Sequence, residues 1–205
     1  MEISEVVWDM DGTLLDSSAV VPAAFAAALR RCGGPQVSAA QVIAAYPLGT
    51  PEVILAHLAG RELTGEDFEE YYRQLAMAVA PAYPGVAEVL DELRSGGHAI
   101  AVFTGASYRA AVSLLAAAGI TADVLVAGDQ VPAPKPAADG LLLAASRLGM
   151  EPQRLAYVGD SPVDMGAARA AGSHAAAAAW GHLYDPAEPA DSVLATPREA
   201  LALLD

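Results

Sequence analysis

The chain has 205 residues, 54% of them hydrophobic and 18% charged, and 25 acidic against 11 basic side chains give a formal net charge of −14. That composition excludes disorder as the default, and the chain is long enough for one substantial core plus a second small module. The acidic balance argues against a nucleic-acid binder, which neutralises phosphates with basic side chains, and no uninterrupted apolar run reaches the roughly 20 residues of a membrane span.

The opening "MEISEVV" lacks the basic-then-apolar pattern of a secretory leader. Cys32 is the only cysteine, which excludes an internal disulfide and a cysteine-based zinc cluster. A reduced, cytoplasmic setting is the expectation. Ten of the basic residues are arginine and the remaining one is Lys135.

Taken in chain order, "EVVWDMDGTLLDSS" (5–18) predicts a short strand ending at Asp9 and a turn through Gly12. In an extended chain positions i and i+2 point to the same side, so Asp9 and Asp11 aim at one spot. Such repulsion is costly unless a cation, a shared proton or a reaction makes use of it. From about Ser17 to Ala80 the spacing is helical, in "AVVPAAFAAALRRCGG", "SAAQVIAAY", "TPEVILAHLAG" and "TGEDFEEYYRQLAMAVA". Ser38 is a candidate cap of the second helix, Thr50-Pro51 opens the third, and Thr64 with Glu66 and Asp67 opens the fourth.

Beyond "PAYPGV" the pattern changes. A helix through about Ser95 leads to the strand "HAIAVFTG", the helix "SYRAAVSLLAAAG", the strand "ADVLVAGD", the loop "QVPAPKP" and the helix "AADGLLLAASRLG". The strand "RLAYVGD", the helix "PVDMGAARAAG", the strand "HAAAAAW" and a terminal helix from Pro197 complete the series. Strands alternating with helices predict an α/β fold, a Rossmann-like, doubly wound parallel sheet with helices on both faces. Residues 1–15 and 82–205 are expected to form that core, with 16–81 inserted as an α-helical cap.

Chemistry in such sheets gathers beyond the carboxyl ends of the strands. Asp9-Met10-Asp11, Thr104, the Lys135 loop and Gly159-Asp160 fall at such ends. Carboxylates hold a hard divalent cation, a hydroxyl and an ammonium hold phosphate oxygens, and two carboxylates divide nucleophilic attack and proton transfer between them. Ser161 as cap and Pro162 as first helical residue would put Asp160 and Asp164 about one turn apart on the same side. His57, His98, His174 and His182 have no metal-site spacing, and Tyr71-Tyr72 is expected to pack within the cap.

"DMDGTLLDS", "FTGAS", "PKP" and "VGDSPVDMGAARAAG", in this order and spacing, resemble the four motifs of the haloacid dehalogenase-like hydrolase superfamily, helical-cap subfamily. Within it the chain looks most like the phosphoglycolate phosphatases. The resemblance implies that Asp9 is the nucleophile and a ligand of Mg²⁺. Asp11 would be the general acid, its backbone carbonyl a further metal ligand. Thr104, Gly105, Met10 and Lys135 would contact the phosphate together with Asp9 and Asp11. Asp160 would bind the metal directly, and Asp164 through water or as a neighbour of the ligands.

Asp11 favours phosphoryl transfer over dehalogenation, because dehalogenases of this kind lack that acid. Met10 and Asp11 stand where transport ATPases carry lysine and threonine. The helical block contains no lysine for the Schiff base of phosphonate hydrolases. A sugar-phosphate mutase stays an alternative, although Thr50 and Pro51 stand where its Ser-Arg pair would align. A non-catalytic binding member is the other alternative. The expected partner is a small phosphorylated metabolite, with no nucleic acid and no membrane; monomer and homodimer are both open. A phosphoglycolate-like substrate would need a cation from the cap, for which Arg30, Arg31, Arg61 and Arg73 are available.

Overall fold

The computed structural model describes residues 2–204. Six parallel strands build the sheet: β1 (Glu5–Trp8), β2 (Ala101–Phe103), β3 (Val124–Val126), β4 (Leu155–Gly159), β5 (His174–Ala178) and β6 (Ser192–Leu194), in the order β3-β2-β1-β4-β5-β6. β1 is central and pairs with β2 on one side and β4 on the other, so its residues Val6, Val7 and Trp8 are all buried. Because side chains alternate across a strand, Val6 and Trp8 enter one apolar cluster and Val7 the other.

The first cluster is filled by α5 (Val86–Ser95), α6 (Tyr108–Ala117) and residues from the C-terminal segment. The second is filled by α7 (Asp139–Leu148) and α8 (Pro162–Ala171). The alanines of β5 alternate in the same way, with Ala176 and Ala178 on one side and Ala175 and Ala177 on the other. The doubly wound parallel α/β core expected from the sequence is therefore present.

Between β1 and α5 lie only helices among the described residues: α1 (Val20–Arg31), α2 (Ala39–Ala45), a 3-10 turn (Tyr46–Leu48), α3 (Pro51–Ala59) and α4 (Gly65–Ala76). Ser38 caps α2 and Thr64 caps α4, each reciprocated by the side chain three residues on, Gln41 and Asp67. Thr50 stands at the cap position of α3 without a side-chain bond, and Pro51 opens that helix. This inserted helical cap packs through Phe25, Leu29, Tyr71 and Leu75 into the same cluster as Val6 and Trp8. Its two connections run side by side: Asp16 N–H donates to Pro81 O at 2.8 Å and Tyr83 N–H to Leu14 O at 3.0 Å. No helix among the described residues is long and apolar enough to cross a membrane.

Two elements depart from expectation. β6 was not foreseen, since it is a three-residue edge strand with only Leu194 buried and so carries no alternating pattern. The terminal segment Pro197–Leu203 is a 3-10 rather than an α-helix. Three residues per turn bring Pro197, Ala200 and Leu203 onto one side, and Pro197 and Ala200 are the buried pair.

Candidate active site

The sheet order decides where the acidic residues meet. The chain leaves β1 toward β2 and β3, then crosses back to β4 on the other side of β1, which makes the β1–β4 junction the switch point of the sheet. Clefts open at such points beyond the strand ends. Asp9 follows β1 directly and Asp160 follows β4 directly. Thr104 follows β2, and the Lys135 loop lies between β3 and α7.

Asp9, Thr104, Lys135, Asp160, Ser161 and Asp164 are all buried. Lys135 Nζ donates to Asp9 Oδ1 at 2.5 Å and to Asp164 Oδ1 at 2.7 Å, and it faces the rings of Phe103 and Tyr157 at 4.8 and 5.2 Å. Burial alone would push this ammonium down, but Asp164 and Asp9 outweigh it and hold the lysine charged, well above its ordinary value. Burial pushes Asp9 up, with Lys135 pulling against it and Asp164 and Asp160 adding repulsion. Asp160 is raised to about 7, by burial first and then by Asp164. Three carboxylates thus share one ammonium, and burial with their mutual repulsion drives Asp9 and Asp160 toward the protonated form.

Potential ligand atoms of Asp9, Asp160 and Asp164 all lie within 4.8 Å of one another. Their hydrogen bonding separates their roles. Asp164 Oδ1 accepts from Lys135 and from the Tyr157 hydroxyl at 3.1 Å, while Oδ2 accepts from the Ser161 backbone N–H at 3.0 Å and from the Ser161 hydroxyl. About four lone-pair sites serve a carboxylate. The single Tyr157 proton is also directed at Phe103 O at 2.9 Å, but Lys135 on one side and Ser161 on the other leave both Asp164 oxygens engaged by protein donors. Asp160 Oδ2 accepts from Leu183 N–H at 2.9 Å, whereas its Oδ1 is buried with no partner. An orphaned, buried carboxylate oxygen beside two more carboxylates fits a hard divalent cation.

The backbone is shaped around that carboxylate. Gly12 has φ +91°, and a Cβ there would stand 2.3 Å from Asp160 Oδ2. A Cβ on Gly181 would stand 2.1 Å from Asp160 Cβ. Asp11 Oδ1 is also buried without a partner. Burial pushes the Asp11 carboxyl up, and the Ser17 hydroxyl, Lys135, His182 and Thr104 pull it only partly back. Thr104 Oγ1 accepts from Ala106 N–H at 3.1 Å, which leaves its own proton free to be donated.

Above these groups is a cavity of about 390 Å³ lined by Asp9, Asp11, Thr104, Gly105, Lys135, Asp160 and Asp164 below and by the helical cap above. The sequence-designated residues thus converge on one chamber. Met10, expected among the phosphate contacts, has its side chain fully buried in the apolar core, which leaves only its backbone for that role. Sequence reasoning missed several lining residues. Tyr71 was expected as packing alone; it packs on Phe25 at a centroid distance of 4.5 Å and also lines the chamber, as does Tyr46. His182, which has no metal-site spacing in the sequence and does not line the chamber, brings its Nδ1 to 4.0 Å from Asp160 Oδ2. No local pattern marks these residues, because their convergence depends on how the cap and the loop after β5 are placed.

The family model for "haloacid dehalogenase-like hydrolase" matches residues 4–172. The chain is a member of that family. Phosphoglycolate phosphatase of Nitrosospira multiformis is 32% identical over 195 residues, covering 89% of this chain and 86% of the relative. N-acetylmuramic acid 6-phosphate phosphatase of Pseudomonas aeruginosa is 31% identical over 225 residues, covering 100% and 96%. The solved structure of CbbY from Rhodobacter sphaeroides superposes with a TM-score of 0.81 at 23% identity, covering 99% of each chain, and shares the fold. With these relatives the hydrolase stands among the phosphoric monoester hydrolases of the family, phosphoglycolate phosphatase-like in sequence.

Proposed function

We propose that the hydrolase cleaves a small phosphomonoester in two steps through a phosphorylated Asp9. The observation that carries the reading is the pairing of Asp9 with Lys135 directly beneath a chamber that also contains Asp11, whose buried Oδ1 has no partner and whose carboxyl is pushed up by burial. Asp9 is held by a permanently charged lysine, so an oxygen of its carboxylate can attack phosphorus while the ammonium offsets charge on the phosphoryl oxygens. Asp11, whose environment favours the protonated form, gives its proton to the leaving alcohol and then takes one from the attacking water. The Thr104 hydroxyl and the backbone around Gly105 supply donors to the phosphoryl group.

Asp9, Asp160 and the Asp11 backbone carbonyl would hold Mg²⁺, which supplies charge neutralisation of the phosphoryl oxygens when bound. Asp164, with both oxygens engaged by protein donors, orients Lys135 and the start of α8 rather than binding the ion itself. The core is read as residues 1–15 and 82–205, with 16–81 as the cap that excludes water. The test is phosphate release from a panel of small phosphomonoesters, with Mg²⁺ and with chelator, for the wild type and Asp9→Asn. Mg²⁺-dependent release that disappears in a folded Asp9→Asn protein is the expected result. Equal release from both proteins would refute the nucleophile. No release from any ester would refute hydrolysis.

A further inference from the structure

The upper wall of the chamber is formed by Val21, Phe25, Ile43, Tyr46, Ile54 and Tyr71, all from the helical cap. Among the described residues no arginine, no histidine and no lysine other than Lys135 lines it. Lys135 is itself committed to Asp9 and Asp164. The arginines that a phosphoglycolate-like substrate would call upon are spent elsewhere or lie off the chamber. Arg31 and Arg73 pair with Glu70 at 2.6 and 3.0 Å, and Arg61 reaches Asp67 at 3.3 Å and Cys32 O at 2.8 Å. Arg30 is exposed and does not line the cavity.

Resting on the phosphomonoesterase reading above, we infer that the alcohol released by this enzyme is an uncharged, predominantly apolar group, aromatic or branched aliphatic. A carboxylate or second phosphate on the substrate would face hydrocarbon without a cation to pair with, which is strongly unfavourable. It would also approach four carboxylates, Asp9, Asp11, Asp160 and Asp164, that line the floor, where like charges repel. An apolar group gains instead from leaving water against Phe25, Ile43 and Ile54. Among the described residues the only polar side chains that the cap brings to this wall are Tyr46 and Tyr71, neither of whose phenols is hydrogen bonded to another group of the protein. They can serve one neutral hydroxyl or carbonyl on the substrate, not an anion at the strength of a guanidinium. The chamber of this chain thus differs from what a two-anion substrate requires, whatever its relatives hydrolyse.

Benzyl phosphate, phosphoglycolate and glucose 6-phosphate each release an unactivated primary alcohol, so leaving-group acidity does not rank them. Phosphate release from the three is measured as kcat/KM with Mg²⁺, with Asp9→Asn as the blank. Benzyl phosphate should exceed both of the others by about tenfold or more. Ile43→Arg, which sets a cation in the wall, should narrow the gap to phosphoglycolate by about tenfold. A smaller margin, or a preference for phosphoglycolate or glucose 6-phosphate, overturns the apolar assignment and leaves the phosphatase reading intact. Release from none of the three above the blank removes the phosphatase reading, and this inference with it. The wild-type comparison decides the matter even where Ile43→Arg fails to fold.

Discussion

Gly12 sits between the two motif aspartates and Asp160, with a φ that L-residues rarely adopt and no room for a methyl group. Gly12→Ala should cost about 1–2 kcal/mol of stability from the backbone alone. It should also push the Asp160 carboxylate aside, so the rise in melting temperature on adding Mg²⁺ should nearly vanish in the variant. A wild-type-sized Mg²⁺ shift would show that Gly12 does not shape the ion's cradle. Lys135 works by charge rather than by shape. Lys135→Gln leaves Asp9 and Asp164 without their buried partner, so kcat should fall by about 10²–10³. Its melting temperature should drop most in chelator and recover in part with Mg²⁺, since a bound cation offsets the same carboxylates.

At the scale of elements, caps and turns were legible because they are local. Ser38-Gln41 and Thr64-Asp67 are separated by one helical turn, so the sequence spacing alone sets up reciprocal bonding. Asp67 is held well below the usual carboxylate range, first by the Thr64 backbone N–H and then by Cys32 and Arg61. A carboxyl depressed in the folded state stabilises it above the unfolded value near pH 4 and loses that contribution as pH falls further. Asp67→Asn should therefore melt below the wild type at pH 7, and the two melting curves should converge as pH drops from about 4 toward 2. A gap that widens on acidification would contradict this. The capping expected of Ser161 takes a different form: its N–H and hydroxyl both donate to Asp164, so the carboxylate closes the start of α8. β6 and the 3-10 end escaped sequence reading because each is short and owes its conformation to the sheet edge and the cluster it covers.

At the scale of the whole molecule, cap and core meet at α4 and the start of α6. The Tyr72 hydroxyl bonds the Ser107 hydroxyl at 2.7 Å and Glu52, and Arg109 forms a two-pronged pair with Glu69, Nη2 to Oε2 at 2.8 Å, while stacking on Tyr72 at 4.1 Å. Ser107 also caps α6, three residues beyond Thr104, so the cap latches beside the loop proposed to bind the phosphoryl group. The Arg109–Glu69 pair is half exposed, and exposed pairs contribute about 1 kcal/mol or less. Arg109→Ala should then raise KM by a few-fold with kcat little changed, and should speed amide exchange in α4. A large fall in kcat with unchanged exchange would mean that the latch does not govern closure.

The sequence by itself determined the alternation of strands and helices, the position of the helical insertion and the identity of the residues at the strand ends. Each of these depends on spacing within one short segment. Only the tertiary structure decided that both oxygens of Asp164 are engaged while an oxygen of Asp160 is left free, because that follows from donors contributed by Lys135, Tyr157, Ser161 and Leu183 on separate elements. It decided likewise that the cap presents Phe25, Ile43, Tyr46, Ile54 and Tyr71 to the chamber and turns its arginines elsewhere. Which face of an amphipathic helix looks into a cavity is set by packing between elements, and no single segment contains that information.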